Sequence, residues 1–169
     1  ILVTKEENID KLSSLIREIE FDGVQLHYPN SGSQAAALKG RFGLSFLVFQ
    51  VATSEVDAPK QHEGDFILID QSYLGGTGKQ ISRSDFEEVL AKYKDRKVIL
   101  AGGISPSNLY QYLNLPIEGF DVQSAVKSEK ASKYENTDYY KILNVASLLG
   151  YNKNAISGQT GFVVQDINQ

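Results

Sequence analysis

The chain has 169 residues, with 17 Lys+Arg against 21 Asp+Glu, a net charge of −4 and 41% hydrophobic positions, the size and balance of one ordinary globular domain. Mild acidity without a basic block leaves no electrostatic footprint for a phosphate backbone, which argues against nucleic acid as a partner. With no cysteine and two histidines, disulfides, thiolate zinc sites and a cysteine nucleophile are excluded within these residues, and a His-rich metal site is disfavoured.

Apolar stretches such as Phe66 to Ile69 fall far short of the ~20 residues of a membrane helix. No membrane span is expected, and a reducing, cytoplasmic setting fits the lack of cysteine. The chain opens Ile1-Leu2-Val3 without an initiator and contains no methionine. This opening also lacks the charged lead and small-residue cleavage site of a signal peptide. It reads as a strand, with the N-terminus expected to be removed or omitted.

In chain order, β-rich apolar runs begin near Ile1, Gly23, Leu44, Asp65, Lys97 and Gly119: ILVT, GVQLH, LSFLVFQV, DFILID, KVILAG and GFDVQS. They are nearly continuous in apolar character, as strands buried on both faces are. Between the first two, Thr4 and Glu7 have capping-box spacing, and Ile9, Leu12, Leu15, Ile16 and Ile19 share one helical face. Phe86, Val89, Leu90 and Tyr93 form a second stripe after Ser84-Asp85. Ser105-Pro106 places proline at the first position of another expected helix. A last helix carries Ile142, Leu143, Ala146 and Leu149, with Gly150 as its stop. Residues 54–64 are polar and proline-containing, with room for at most a turn or two of helix.

Strand starts are spaced 22, 21, 21, 32 and 22 residues apart, one βα unit each. An open doubly wound sheet and a (β/α)8 barrel both satisfy this spacing, and both place reactive groups where strands end. The residues closing the runs are Gln25 and His27, Asp70, Gly102 and Gly103, and Ser124. Asp70 ends Phe66-Ile67-Leu68-Ile69, whose apolar character favours a protonated carboxyl fit for acid chemistry; the alternative is an N-cap or loop aspartate.

Leu74-Gly75-Gly76-Thr77-Gly78-Lys79 follows. A P-loop needs glycine at 73 and a hydroxyl at 80, where this chain has Tyr73 and Gln80, so the stretch reads as a mobile lid or a plain turn. Ala101-Gly102-Gly103 before Ser105-Pro106, and Asp121-Val122-Gln123-Ser124-Ala125 after the last run, together look like a phosphate cradle. Glycine lets the backbone approach a phosphoryl group, and exposed amides supply positive partial charge. Glycines that merely relieve tight turns are the bland reading of either motif alone.

Gly23-Val24-Gln25-Leu26-His27, Ile67-Leu68-Ile69-Asp70 with Gly75-Gly76-Thr77-Gly78-Lys79, and Leu100-Ala101-Gly102-Gly103-Ile104-Ser105-Pro106-Ser107-Asn108 closely resemble the phosphoribosylanthranilate isomerase family of tryptophan biosynthesis. Order and spacing agree across residues 1–150. The resemblance implies a (β/α)8 barrel whose strands three to eight are the six runs here, with two units upstream. Two units of about 22 residues would bring 169 to about 213, within the usual range of a complete barrel.

It further implies an Amadori rearrangement without metal or organic cofactor, on a small phosphosugar. Asp70 would be the general acid and Gln25, His27, Gly75, Gly76, Gly78 and Lys79 would contact substrate. Gly102, Gly103, Asp121, Ser124 and Ala125 would hold the phosphate. The family's base, a cysteine on its first strand, and its carboxylate-binding arginine would lie upstream. His27 equally reads as a hydrogen-bonding support.

The chain departs from the family pattern in places. Where the family shows DVSSGVE it reads Asp121-Val122-Gln123-Ser124-Ala125-Val126-Lys127, and Ile81-Ser82-Arg83 replaces Phe-Asp-Trp after the glycine loop. Residues 151–169 form an Asn/Gly-rich extension without a family counterpart. A barrel that binds or isomerises another phosphosugar, or has lost catalysis, is the alternative. A related isomerase of histidine biosynthesis would show an internal repeat, and none is evident.

Overall fold

The computed structural model describes residues 1–27, 32–52, 64–71, 80–129 and 137–150. In chain order the elements are β1 (Leu2–Thr4), α1 (Ile9–Glu18), β2 (Gly23–Leu26), α2 (Gly32–Phe42), β3 (Phe46–Ala52), β4 (Phe66–Asp70), α3 (Arg83–Lys92), β5 (Lys97–Leu100), β6 (Gly119–Phe120) and α4 (Tyr139–Leu148). Single 3-10 turns occupy Leu109–Gln111 and Ser124–Val126. All six expected strands form, and each pairs in parallel with the next in the order β1-β2-β3-β4-β5-β6. A doubly wound sheet reverses its order at a switch point. This sheet never reverses, which is the succession of a barrel wall.

Side-chain alternation divides the sheet into two faces. Val24, Leu26, Leu47, Val51, Ile67, Ile69, Val98 and Leu100 pack outward among residues of the helical layer such as Leu12, Leu38, Phe86 and Val89. The opposite parity, Phe46, Val48, Phe66, Leu68, Ile99 and Ala101, forms a separate cluster with no helical residue in it, as a barrel lumen does. At the foot of this lumen Phe46 and Phe66 meet edge to face, ring centroids 5.8 Å apart, and Lys97 lies over Phe66. Gly23 makes room for them, since a Cβ there would stand 2.5 Å from the Phe46 ring and 2.8 Å from its carbonyl oxygen.

Three local expectations change. The start of α1 is capped by Asn8, whose side chain accepts from the amides of Asp10 and Lys11. Thr4 instead closes a turn by accepting from the Glu6 amide, so the expected Thr4–Glu7 capping box does not form. The helix expected after Ser105-Pro106 is replaced by a turn and the 3-10 segment. Asn108 accepts from the Ser105 amide at 2.8 Å and donates to the Gly103 carbonyl at 2.9 Å, which holds the start in a turn. Pro116 then disfavours helix at Leu115. Lastly, α2 forms over an alanine-rich segment that the apolar spacing did not mark; Ala35, Ala36, Ala37 and Leu38 favour helix by propensity alone. Most of residues 54–64 and all of 151–169 lie outside the described residues. Among the described residues no helix is long and apolar enough to cross a membrane.

At the N-terminal rim, one Asp65 oxygen accepts from Lys39 at 2.6 Å and from the Leu47 amide at 2.7 Å, tying α2 to the sheet. Burial pulls the Asp65 carboxyl upward, but these hydrogen bonds and the Lys39 charge outweigh it and hold the pKa below the ordinary aspartate value. The stabilisation is therefore fully present above the unfolded-state value of about 3.9 and is lost as pH falls through the lower folded-state value. Asp65→Asn should lower stability in urea unfolding at pH 7. The gap from the unsubstituted protein should shrink as the titration is carried below about pH 4.

Candidate active site

The C-terminal ends of β4, β5 and β6 bring Asp70, Ala101 and Asp121 side by side, and the ladder fixes their level. Ile69 pairs with Leu100, and the Ala101 amide donates to the Ile69 carbonyl at 2.8 Å, so Asp70 stands beside Ala101. On the other side Leu100 pairs with Phe120, and the Asp121 amide donates to the Leu100 carbonyl at 2.8 Å, so Asp121 also stands beside Ala101. Asp70, Ala101 and Asp121 thus form one inward-facing level across β4, β5 and the end of β6.

Asp70 is half-buried, and its Oδ1 accepts from the Gln71 amide at 2.6 Å. That oxygen lies against Gly102, where a Cβ would come within 2.8 Å of it. Gly102 has φ +89 and Gly103 φ +66, a left-handed turn that lets the chain leave the strand next to the carboxyl. Asp121 is open to solvent on one side and crowded by protein on the other. That desolvation first, and the negative charge of Asp70 second, raise its pKa above the ordinary aspartate value.

Gln25 is buried on the inward face of β2. His27 follows it, its amide donating to the Thr4 carbonyl at 2.8 Å. Ser124 and Ala125 lie in the 3-10 turn after β6, a right-handed conformation in which the Cβ of Ala125 carries no backbone strain. Gly75, Gly76, Gly78 and Lys79 lie outside the described residues. Among the described residues no group of three or more His, Cys, Asp or Glu side chains is placed to hold a metal ion.

Sequence reasoning missed two residues. Gln50 is only 2% exposed and shares the inward parity of Phe46 and Val48; a polar residue inside an apolar run was its signal. Asn108 is the clamp on the Gly103 turn, visible in sequence only as a short polar residue just past two glycines.

The family model for N-(5'phosphoribosyl)anthranilate (PRA) isomerase matches residues 1–137. The chain belongs to the phosphoribosylanthranilate isomerase family. It is 25% identical over 134 residues to the N-(5'-phosphoribosyl)anthranilate isomerase of Wickerhamomyces anomalus, covering 78% of this chain and 56% of that protein. It is 28% identical over 127 residues to the enzyme of the same name from Bacillus subtilis, covering 72% and 59%. The chain therefore spans somewhat over half the length of these relatives. Its fold is like that of phosphoribosyl anthranilate isomerase from Thermus thermophilus, with a TM-score of 0.63 at 24% identity, covering 86% of this chain and 71% of that one. The Thermococcus kodakaraensis structure gives 0.65 at 17% identity, covering 89% and 74%. The fold is that of the (β/α)8 barrel enzymes of this family, and the six strands described are a run of its consecutive units.

In this barrel Gly102 separates two contributions that substitution can read apart. Gly102→Ala should cost about 1–3 kcal/mol of backbone strain, plus the displacement of Asp70. Gly43→Ala, at φ +63 with nothing within 4 Å of the added Cβ, carries strain alone. Denaturant unfolding should show the larger loss at Gly102; equal losses would mean that Asp70 does not press on this turn.

Proposed function

We propose that the protein is a phosphoribosylanthranilate isomerase acting in tryptophan biosynthesis. The reaction is the Amadori rearrangement of N-(5'-phosphoribosyl)anthranilate to its 1-deoxyribulose 5-phosphate isomer. The observation that carries the reading is Asp70, a strand-end carboxyl aimed into the mouth between apolar β4 and the Gly102 turn, in a chain that the family model matches through residue 137.

Asp70 in its protonated form donates to the ribose ring oxygen, and the C–O bond breaks to leave an open-chain iminium. A base removes the proton from the adjacent carbon, giving an enolamine that tautomerises to the ketone. One acid and one base suffice, and a carboxyl at a partly desolvated strand end is suited to the first task. The family's base is a cysteine on its first strand, and its carboxylate-binding arginine also precedes the strands described. The proposal therefore includes two βα units N-terminal to Ile1. The positions of β1 and β6 at the sheet edges among the described residues support this, because unpaired edges are what further strands would close.

Gln25 and His27, at the inward end of β2, line the aromatic half of the substrate. Gly75, Gly76, Gly78 and Lys79 supply further substrate contacts. The phosphate rests on backbone amides of Gly102, Gly103, Ser124 and Ala125, with Asp121 starting the second of these loops. In barrels of this type the loops after the last two strands commonly form the phosphate site.

The test is turnover of phosphoribosylanthranilate by the full-length protein. Asp70→Asn should reduce kcat by about 10²- to 10⁴-fold, the usual worth of a positioned general acid, and leave KM within a few-fold because the phosphate contacts are untouched. Turnover within ten-fold of the unsubstituted enzyme would remove Asp70 from the acid role.

A further inference from the structure

We propose that Asn108 is a positioning residue for the substrate phosphate: its side-chain amide locks the Gly102–Gly103 turn so that the Ile104 amide joins those of Gly102 and Gly103 as a donor to the phosphoryl oxygens. This deepens the isomerase reading and rests on its placement of the phosphate. Pairing of β5 with β4 ends where the Ala101 amide donates to the Ile69 carbonyl. Two glycines follow, with φ +89 and φ +66, and glycine holds no backbone shape by itself. A group outside the turn has to hold it.

Asn108 does so with both ends of its amide. It is buried, its Oδ1 accepts from the Ser105 amide at 2.8 Å, and its Nδ2 donates to the Gly103 carbonyl at 2.9 Å. Its own backbone amide donates to the Ser105 carbonyl at 3.1 Å, and the Leu109 amide donates to the same carbonyl at 2.9 Å. The Ile104 and Leu109 side chains are buried in the outer core, so the turn is anchored from the side of the helical layer.

The clamp sets the direction of an amide. The Gly103 carbonyl and the Ile104 N–H belong to one planar trans peptide unit, so the two groups point opposite ways. With the carbonyl turned to Asn108, the Ile104 N–H is turned from it. Among the described residues no backbone hydrogen bond takes up the amides of Gly102, Gly103 or Ile104. The bare face of Gly102 adjoins the Asp70 carboxyl, which puts these open donors beside the mouth. Donors fixed before the ligand arrives need no reordering on binding, which raises affinity.

The two bonds need an acceptor and a donor on one short side chain, which asparagine supplies. Aspartate would keep the acceptor for Ser105 and, when ionised, set its second oxygen against the Gly103 carbonyl oxygen. Alanine would leave both backbone groups without this partner. A clamp that merely stabilised the chain would leave the phosphate affinity of the folded protein unchanged, and Tyr112 offers the comparison. Its buried hydroxyl belongs to the same outer core but bonds with Ile81 and Gln80, not with the turn.

The experiment measures binding of inorganic phosphate to the full-length protein by phosphorus-31 NMR, beside KM and kcat for phosphoribosylanthranilate. Asn108→Ala should weaken phosphate binding about ten-fold or more, the worth of one hydrogen bond to a charged group, and raise KM by more than it lowers kcat. Tyr112→Phe should lower the denaturation midpoint and leave phosphate affinity within about two-fold. Asn108→Asp, which keeps the Ser105 bond, covers the case in which the alanine variant fails to fold, and it should weaken phosphate as well. In nitrogen-15 spectra inorganic phosphate should shift the Ile104 amide of the unsubstituted protein and lose that effect in the Asn108 variants. Unchanged phosphate affinity in a folded Asn108 variant, an Ile104 amide that phosphate does not move, or a loss confined to kcat would overturn the proposal. A protein that does not turn over phosphoribosylanthranilate, yet whose phosphate binding and Ile104 response depend on Asn108, would retain the positioning role and lose only the isomerase reading.

Discussion

The constraint on which the site depends is the unbroken parallel register of six strands. Because a strand points successive side chains to opposite faces, one slip between neighbours would exchange lumen for helical layer along the whole wall. The apolar pattern resists any such slip. Val48, Leu68 and Ala101 form the lumen cluster while Val51, Ile67, Ile69 and Leu100 pack outward, and a shifted strand would carry Gln50 or Asp70 into the helical layer. Burying an unpaired polar group there costs several kcal/mol. The packing that stabilises the sheet is thus also what aims the Asp70 carboxyl into the mouth.

Along the lumen axis the chemistry changes from apolar to polar. The foot is filled by the Phe46 and Phe66 rings and the middle by Val48, Leu68 and Ile99. Gln25 and Gln50 stand in register with Val48 and Leu68, and Asp70 and Asp121 lie one level higher, beside Ala101. Stability and function are separated by height, as barrels generally arrange them. The glycine turn at the top is tied into the outer core as well. Asn108 fixes the Gly103 carbonyl, and the buried Tyr112 hydroxyl donates to the Ile81 carbonyl at 2.9 Å. The 3-10 segment that follows β5 is thereby anchored to the chain entering α3. A full helix after Ser105 would have demanded other partners for these groups.

The sheet was legible in sequence because buried parallel strands are nearly uninterrupted apolar runs, and all six stood out. The helices were legible where an apolar stripe was strong, as in α1 and α3, and not in α2, whose alanines carry helix propensity without a clear stripe. Boundaries failed where side chains bond locally: Asn8 outcompeted Thr4 as the cap, and Asn108 turned an expected helix into a turn. Asp70 was legible from its place at the end of a run. The relation between Asp70 and Asp121 was not, because 51 positions of sequence separate them and only the register beside Ala101 makes them neighbours. The same limit hid Gln50, whose parity carries meaning only once the lumen is known.

The Asp70 carboxyl is held in place by rigid elements. Asp70 closes β4, which is paired along its length with β3 on one side and β5 on the other, and its inner oxygen is held by the Gln71 amide. Desolvation at a strand end favours the neutral carboxyl, while the Gln71 hydrogen bond favours the ionised one. These two effects oppose each other on the same residue.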